Sequence, residues 1–240
     1  MRVEVVLRPA DLSSEDIDGR TVVIFDVLRA TTSMTAAIAA GIAEIRIFGN
    51  IHSATAARKS FSGPALLCGE EKALAPVGFD LGNSPLAFGP SICAGRVAFI
   101  TTTNGTRAIL SARGAADMFI GALVNASAVA RAIMNRGLDV TLLCAGTNGR
   151  VAMEDLIGCG AVMDACDRIR PISVESDAAR IARRLFNASR HDLGAALRES
   201  QGGQNVLGVG LSADIDFAAR LDSLDVVGRV VGDPPVVIGK

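Results

Sequence analysis

Asp26, Arg29, Thr31, Thr32 and Ser33 lie within one run of eight residues. An acid, a guanidinium and three hydroxyls that close together suit two kinds of chemistry. A carboxylate can hold a divalent cation. An Arg with hydroxyls and open backbone N–H groups can hold a phosphate or a sulfonate. A second cluster follows in Thr101-Thr102-Thr103-Asn104-Gly105-Thr106, whose hydroxyls, amide and N–H groups suit an oxyanion-binding turn. A third is Cys144-Ala-Gly-Thr-Asn-Gly-Arg150, followed by Glu154 and Asp155. Taken singly, each could be only a helix cap and a tight turn. Three of them in one sheet favour a shared cleft. Further acids accompany them at Glu70, Glu71, Asp80 and Asp214. Adjacent helix residues diverge, so one of Glu154 and Asp155 is expected to face the site.

The elements that would position these residues recur in the same form. A strand ends, a turn rich in Gly, Thr or Asn follows, and a helix begins. Thr21–Phe25 reads as a buried strand and the Ala-rich run to Gly41 as a helix with its stop signal. Strand and helix patterns alternate from Arg20 to Arg170, which argues for parallel pairing and a three-layer α/β/α fold with a largely parallel or mixed sheet. In such sheets ligands bind outside the carboxyl ends of the strands. The irregular stretch from Ala73 to Gly89 carries Asn83 and Ser84 and reads as an ordered functional loop. Beyond Pro171 the chain reads as a helical C-terminal portion, with a helical hairpin over the glycine-rich run from Gly202 and strand character at Val226–Val231 and Val236–Ile238. With no linker or repeat, residues 1–240 read as one domain.

Composition narrows the function. Half of the 240 residues are hydrophobic, the formal net charge is -1, and there is no Trp or Tyr. That balance points away from nucleic acid, since neither a basic surface nor aromatic stacking platforms are present. The apolar runs are too short and too broken by charge to span a bilayer. The five cysteines include no Cys-x-x-Cys pair and read as reduced thiols in a cytoplasmic protein. Cys144 and Arg150 have the spacing of a cysteine-dependent phosphatase loop, an alternative weakened by the lack of a preceding His and a following Ser or Thr.

The segments FDVLRATTS, CGEE, GFDLGNSP, TTTNGT, CAGTNG with MEDLIGCGA, and GVGLSADIDFAA stand in this order along nearly the whole chain. Together they resemble the 2-phosphosulfolactate phosphatase (ComB) family. The resemblance implies a magnesium-dependent phosphatase that splits (2R)-phosphosulfolactate, a small anionic phosphoester, into sulfolactate and phosphate. In methanogens that step belongs to coenzyme M biosynthesis. Carried over by position, it implies Asp26, Arg29 and Glu154 as catalytic residues. It places Thr31, Thr32, Asn83, Ser84, Thr103, Asn104, Gly105 and Thr106 around the substrate, and Asp26, Glu70 and Asp155 on Mg²⁺. The chain departs from the usual family pattern at Glu71, where an Arg is common. A non-catalytic binder of small anionic metabolites is the alternative from another class. A homodimer is compatible with the apolar C-terminal portion.

Overall fold

The apolar runs become strands, and the segments between them become helices that cover both faces of one sheet. The computed structural model describes residues 1–239; Lys240, at the end of the expected domain, lies outside them. In chain order the elements begin with β1 (Arg2–Val6), β2 (Thr21–Phe25), α1 (Ala30–Ala39), β3 (Glu44–Ile47), α2 (Ile51–Lys59) and β4 (Ala65–Gly69). There follow α3 (Pro90–Cys93), β5 (Val97–Thr101), α4 (Gly105–Ser111), β6 (Asp117–Gly121), α5 (Ala126–Arg136) and β7 (Val140–Cys144). Then come α6 (Met153–Ile169), β8 (Ser173–Val174), α7 (Asp177–Ser189), α8 (Leu193–Glu199), α9 (Gln201–Gly208) and α10 (Ser212–Ala218). β9 (Gly228–Val231) and β10 (Val236–Gly239) close the described chain.

The ten strands form one sheet in the order β4-β5-β3-β10-β9-β6-β2-β7-β1-β8. Its two arms, β4-β5-β3 and β6-β2-β7-β1-β8, are internally parallel. The β9–β10 hairpin joins them through three antiparallel steps, so the arms run in opposite senses. The two last strands of the described chain therefore fill the middle of the sheet and make it mixed. β5 and β2 are five strand-to-strand steps apart. At roughly 20–25° of twist per step, the sheet coils enough for the carboxyl ends of both arms to approach one another.

The period of two sorts each strand's side chains between layers. Val22 and Ile24 of β2 face α1 and α4, in a core shared with Ile45, Ile100 and Val237. Val23 and Phe25 face the opposite side, packed with Val129, Ile157, Val162 and Phe186 of α5, α6 and α7. Phe99 of β5 turns to a smaller cluster under α2, where its ring lies 5.8 Å from that of Phe48. Strands covered on both faces need continuous apolar runs, which is what β2, β6 and β7 have.

Helix α1 lies inside the coil, with Ala39 the exposed one of its ten residues. Its small side chains let it pass close to the sheet, and its hydroxyls are satisfied within the protein: Thr35 Oγ1 donates to the Thr31 carbonyl at 2.7 Å. The glycine-rich run does form a helix, α9. A Cβ at Gly203 would come within 1.9 Å of the Leu197 carbonyl, so close approach to α8 offsets the poor helix propensity of glycine there.

If the hairpin is a true keystone, changes there must cost as much as core changes elsewhere. Val237 is fully buried and pairs with Ile45 and Val230. Val237→Ala is expected to lower stability by about 2 kcal/mol in denaturant unfolding. A change under about 0.5 kcal/mol, the range of surface positions, would show the hairpin to be peripheral.

Candidate active site

The end of β2 is built from backbone groups held by side chains. The Asp26 N–H donates to Thr31 Oγ1 at 3.0 Å, and Asp26 Oδ1 accepts the Ala30 N–H at 3.1 Å. Thr31 and Thr32 donate their hydroxyls to the carbonyls of Asp26 and Val27, at 2.9 and 2.7 Å. Ser33 does the same to the Asn83 carbonyl at 2.8 Å, tying the 73–89 loop to α1. Asp155 accepts the Val27 N–H at 2.8 Å with one oxygen and the Gly146 N–H at 3.0 Å with the other. It clamps the end of β2 to the turn after β7.

Arg29, which follows a cis Leu28–Arg29 peptide, is the hub of the next layer. Its Nη1 donates to Asp214 Oδ2 at 2.7 Å and its Nη2 to the Ala73 carbonyl at 2.5 Å. Asp214 Oδ1 accepts the Ser84 hydroxyl at 2.5 Å. One buried ion pair thus joins α1, the 73–89 loop and α10. From the other arm, Glu70 accepts the Thr103 N–H and hydroxyl, both at 2.7 Å, and the Ala73 N–H at 2.8 Å. Gly105 opens α4 directly against β2, where a Cβ would come within 2.8 Å of Asp26 Oδ2 and 2.7 Å of Ala30 Cβ. Only glycine lets the two strand ends meet there. Thr106 Oγ1 donates to the Thr102 carbonyl at 2.7 Å.

These ends surround a cavity of about 640 Å³. Of the expected residues, Asp26, Arg29, Glu70, Asn83, Thr103 and Asn104 line it. Thr31, Thr32, Gly105 and Thr106 do not; they are buried behind the wall, and the three hydroxyls hold backbone carbonyls. Ser84 serves Asp214. Glu154, in the first turn of α6, is buried one layer back, behind Thr147 and Gly202 of the wall. Among the described residues its Oε2 has no hydrogen-bond partner, and neither has Oδ1 of Asn83. Glu71 and Lys72 also line the cavity, as do Gln204, Asn205, Val206 and Val209 from α9 and the residue after it. Composition and spacing do not single out the α9 wall. The one sequence signal is the odd presence of Gly202 in a helix, where a Cβ would come within 1.9 Å of Glu154 Oε1.

Acids crowd together at this site, and burial resists their ionisation. Asp26 is pushed up to about 7 by its burial, with Glu70 and Glu154 adding to the rise and the N–H groups of Ala30 and Gly105 opposing it. Burial also raises Glu154. The expected metal set of Asp26, Glu70 and Asp155 does not assemble as a set. Among the described residues no three His, Cys, Asp or Glu side chains form a group able to hold a metal by themselves. Glu70 and Asp155 both hold backbone N–H groups with their two oxygens. Cys144 is fully buried, off the cavity, with its Sγ 3.7 Å from that of Cys159. The contact with Cys159 and burial hold its thiol well above the ordinary range, and Arg150 is exposed. The geometry gives the cysteine alternative no thiolate nucleophile.

The family model for 2-phosphosulpholactate phosphatase matches residues 6–233. The chain belongs to that family. A relative from Deinococcus radiodurans is 36% identical over 241 residues, covering 100% of this chain and 97% of its own. One from Symbiobacterium thermophilum is 37% identical over 216 residues, 89% of this chain and 92% of its own. One from Carboxydothermus hydrogenoformans is 34% identical over 227 residues, 95% and 92% of the two chains. Each bears the name "probable 2-phosphosulfolactate phosphatase". Among the described residues no helix is long and apolar enough to cross a membrane.

The close approach of α9 to Glu154 can be tested in the family's own reaction. Gly202→Ala should leave the fold intact, because the flexible end of Glu154 can yield, but it should displace that carboxylate. A misplacement of about 1 Å costs on the order of 100-fold in rate. Circular dichroism and phosphate release, measured on the same sample, check both halves of this expectation.

Proposed function

We infer that the protein hydrolyses a small anionic phosphate monoester, (2R)-phosphosulfolactate by its family membership, with the help of a divalent cation, Mg²⁺ by the resemblance. The observation that carries the cation is the charge of the cavity. Asp26, Glu70 and Glu71 line it against Arg29 and Lys72, and Glu154 stands directly behind. An anionic substrate meets a negative wall there unless a cation accompanies it. The residues fit such an ion. Magnesium takes one or two carboxylates and completes its shell with water and phosphate oxygens, so a three-carboxylate group is not required. Asp26 lines the cavity and is buried among other acids, and it would hold the ion. When bound, the ion supplies neutralisation of charge on the phosphoryl oxygens.

The chain's own residues supply the rest. Arg29 uses donors on Asp214 and Ala73 and keeps others of its five for a phosphate oxygen. The amides of Asn83 and Asn104 line the same wall and orient the ester. Glu154, raised by its burial and with Oε2 unpartnered among the described residues, stands behind Thr147 and Gly202 and is the carboxylate that would orient the attacking water. Gln204, Asn205, Val206 and Val209 screen the reacting centre from bulk water.

Phosphate release from racemic phosphosulfolactate, with Mg²⁺ and again with excess EDTA, tests this reading. Release should require the cation, and Asp26→Asn should lower it by at least about 100-fold. Release that survives EDTA would remove the cation from the reaction. Ligand binding without any turnover would favour the non-catalytic binder.

A second test needs no turnover. A carboxyl whose folded value is raised binds more protons in the folded state than in the unfolded state between its two values. For Asp26 that window runs from its ordinary 3.8 to about 7, so its contribution to stability falls as pH rises through it. The metal-free protein should therefore lose thermal stability between pH 5 and pH 8. Millimolar Mg²⁺ should raise the melting temperature more at pH 8 than at pH 5. Equal shifts at the two values, or none, would argue against a cation at these acids.

A further inference from the structure

Arg29 and Lys72 are the two cationic side chains on the cavity wall, and they are held in different ways. Arg29 is buried, with its guanidinium committed in part to Asp214 and the Ala73 carbonyl. Lys72 makes no ion pair and no side-chain hydrogen bond among the described residues, although Glu70 and Glu71 immediately precede it. A phosphate that takes up Arg29 leaves Lys72 as the remaining cation for any second anionic group on the same molecule.

The backbone under Lys72 shows that its position is constructed. Glu71 and Leu74 exchange N–H···O bonds of 2.9 and 3.2 Å across a two-residue turn. Lys72 and Ala73, the central residues, have φ of 52° and 67°. That is the left-handed pair of a type I′ turn, which Asn-Gly or Gly-Gly fills without strain. A Lys-Ala pair costs more there, and such conformations persist where neighbours over-determine them. Here the neighbours are site residues. The Ala73 carbonyl accepts from Arg29 Nη2 at 2.5 Å, and the Ala73 N–H donates to Glu70 Oε2 at 2.8 Å. Glu70 is itself fixed by Thr103. A lysine on an unconstrained surface turn would need none of this. Asn205 is also on the wall; its Oδ1 accepts from Gln201 Nε2 at 3.0 Å, which leaves its amide nitrogen as a donor for a tetrahedral or planar anion.

We propose that Lys72 is a specificity-determining residue that pairs with the non-phosphate anionic group of the substrate, a sulfonate or a carboxylate, while Arg29 serves the phosphate. The proposal rests on the phosphomonoesterase reading above, and its test is arranged so that the two can fail separately. Binding of sulfolactate and of inorganic phosphate is measured by calorimetry, in the presence of Mg²⁺, for the wild type, Lys72→Met and Lys72→Arg. Lys72→Met keeps the side chain's length and the same backbone, and removes only the charge. It is expected to weaken sulfolactate at least tenfold and to change phosphate less than twofold, with Lys72→Arg within threefold of wild type for both. Lactate, which lacks the sulfonate, and 2-hydroxypropanesulfonate, which lacks the carboxylate, then identify the group, since the ligand without it loses the dependence on Lys72. In turnover the same change should raise KM for phosphosulfolactate and leave kcat within twofold. Equal weakening of sulfolactate and phosphate, unchanged sulfolactate binding, or no sulfolactate binding by the wild type would overturn the proposal. Absent turnover with a sulfolactate affinity that depends on Lys72 would overturn the phosphatase reading alone.

Discussion

The buried pair of Arg29 and Asp214 is the constraint on which the site depends. Both side chains are almost fully removed from water, at 3% and 1% exposure, and their atoms are 2.7 Å apart. Burying two charges is expensive, and a buried charge without its partner costs about 3–5 kcal/mol. The surroundings offset that penalty with further bonds: Ser84 donates to Asp214, and Arg29 donates to Ala73. These bonds join segments distant in sequence, the turn after β2, the 73–89 loop and α10. The wall of the cavity is thus made by the same contacts that neutralise the pair. The strained turn at Lys72 inherits its position from Arg29, and α10 inherits its own from Asp214.

Local pattern was enough for most of the fold, and the reasons are physical. β2, β6 and α6 follow apolar runs that end in turn residues, so their limits are visible in composition. The order of the strands is different. Nothing in the Val-rich segments at 228–231 and 236–239 says that they enter the centre of the sheet, because their burial pattern is that of any half-buried strand. Their placement is set by which edges remain open after the two parallel arms form. The glycine-rich α9 was also readable only in part. Propensity argues against a helix there, and the close approaches at Gly202 and Gly203 that favour one are tertiary.

The site divides along the same line. Asp26, Thr103 and Asn104 line the cavity as strand-end residues should, and Asn83 reaches it from the 73–89 loop. Thr31, Thr32 and Thr106 have the right chemistry for an anion, yet their hydroxyls face the backbone. A hydroxyl at the start of a buried helix has carbonyls within reach, and those bonds replace a ligand. The distinction between Glu154 and Asp155 likewise needs coordinates. Both are buried and adjacent, but Asp155 spans two backbone N–H groups while Glu154 keeps an oxygen without a partner among the described residues.

The β9–β10 hairpin bears on how the chain is made. Of the ten strands, the two that join the arms are the last to be synthesised. Until they leave the ribosome, β3 and β6 present open edges on two half-sheets that have no direct pairing with each other. Such edges can pair with other chains. While α7 to α10 are being made, the nascent protein must hold two separate halves that do not pair, and its cavity, which needs both, can close only once the hairpin is in place.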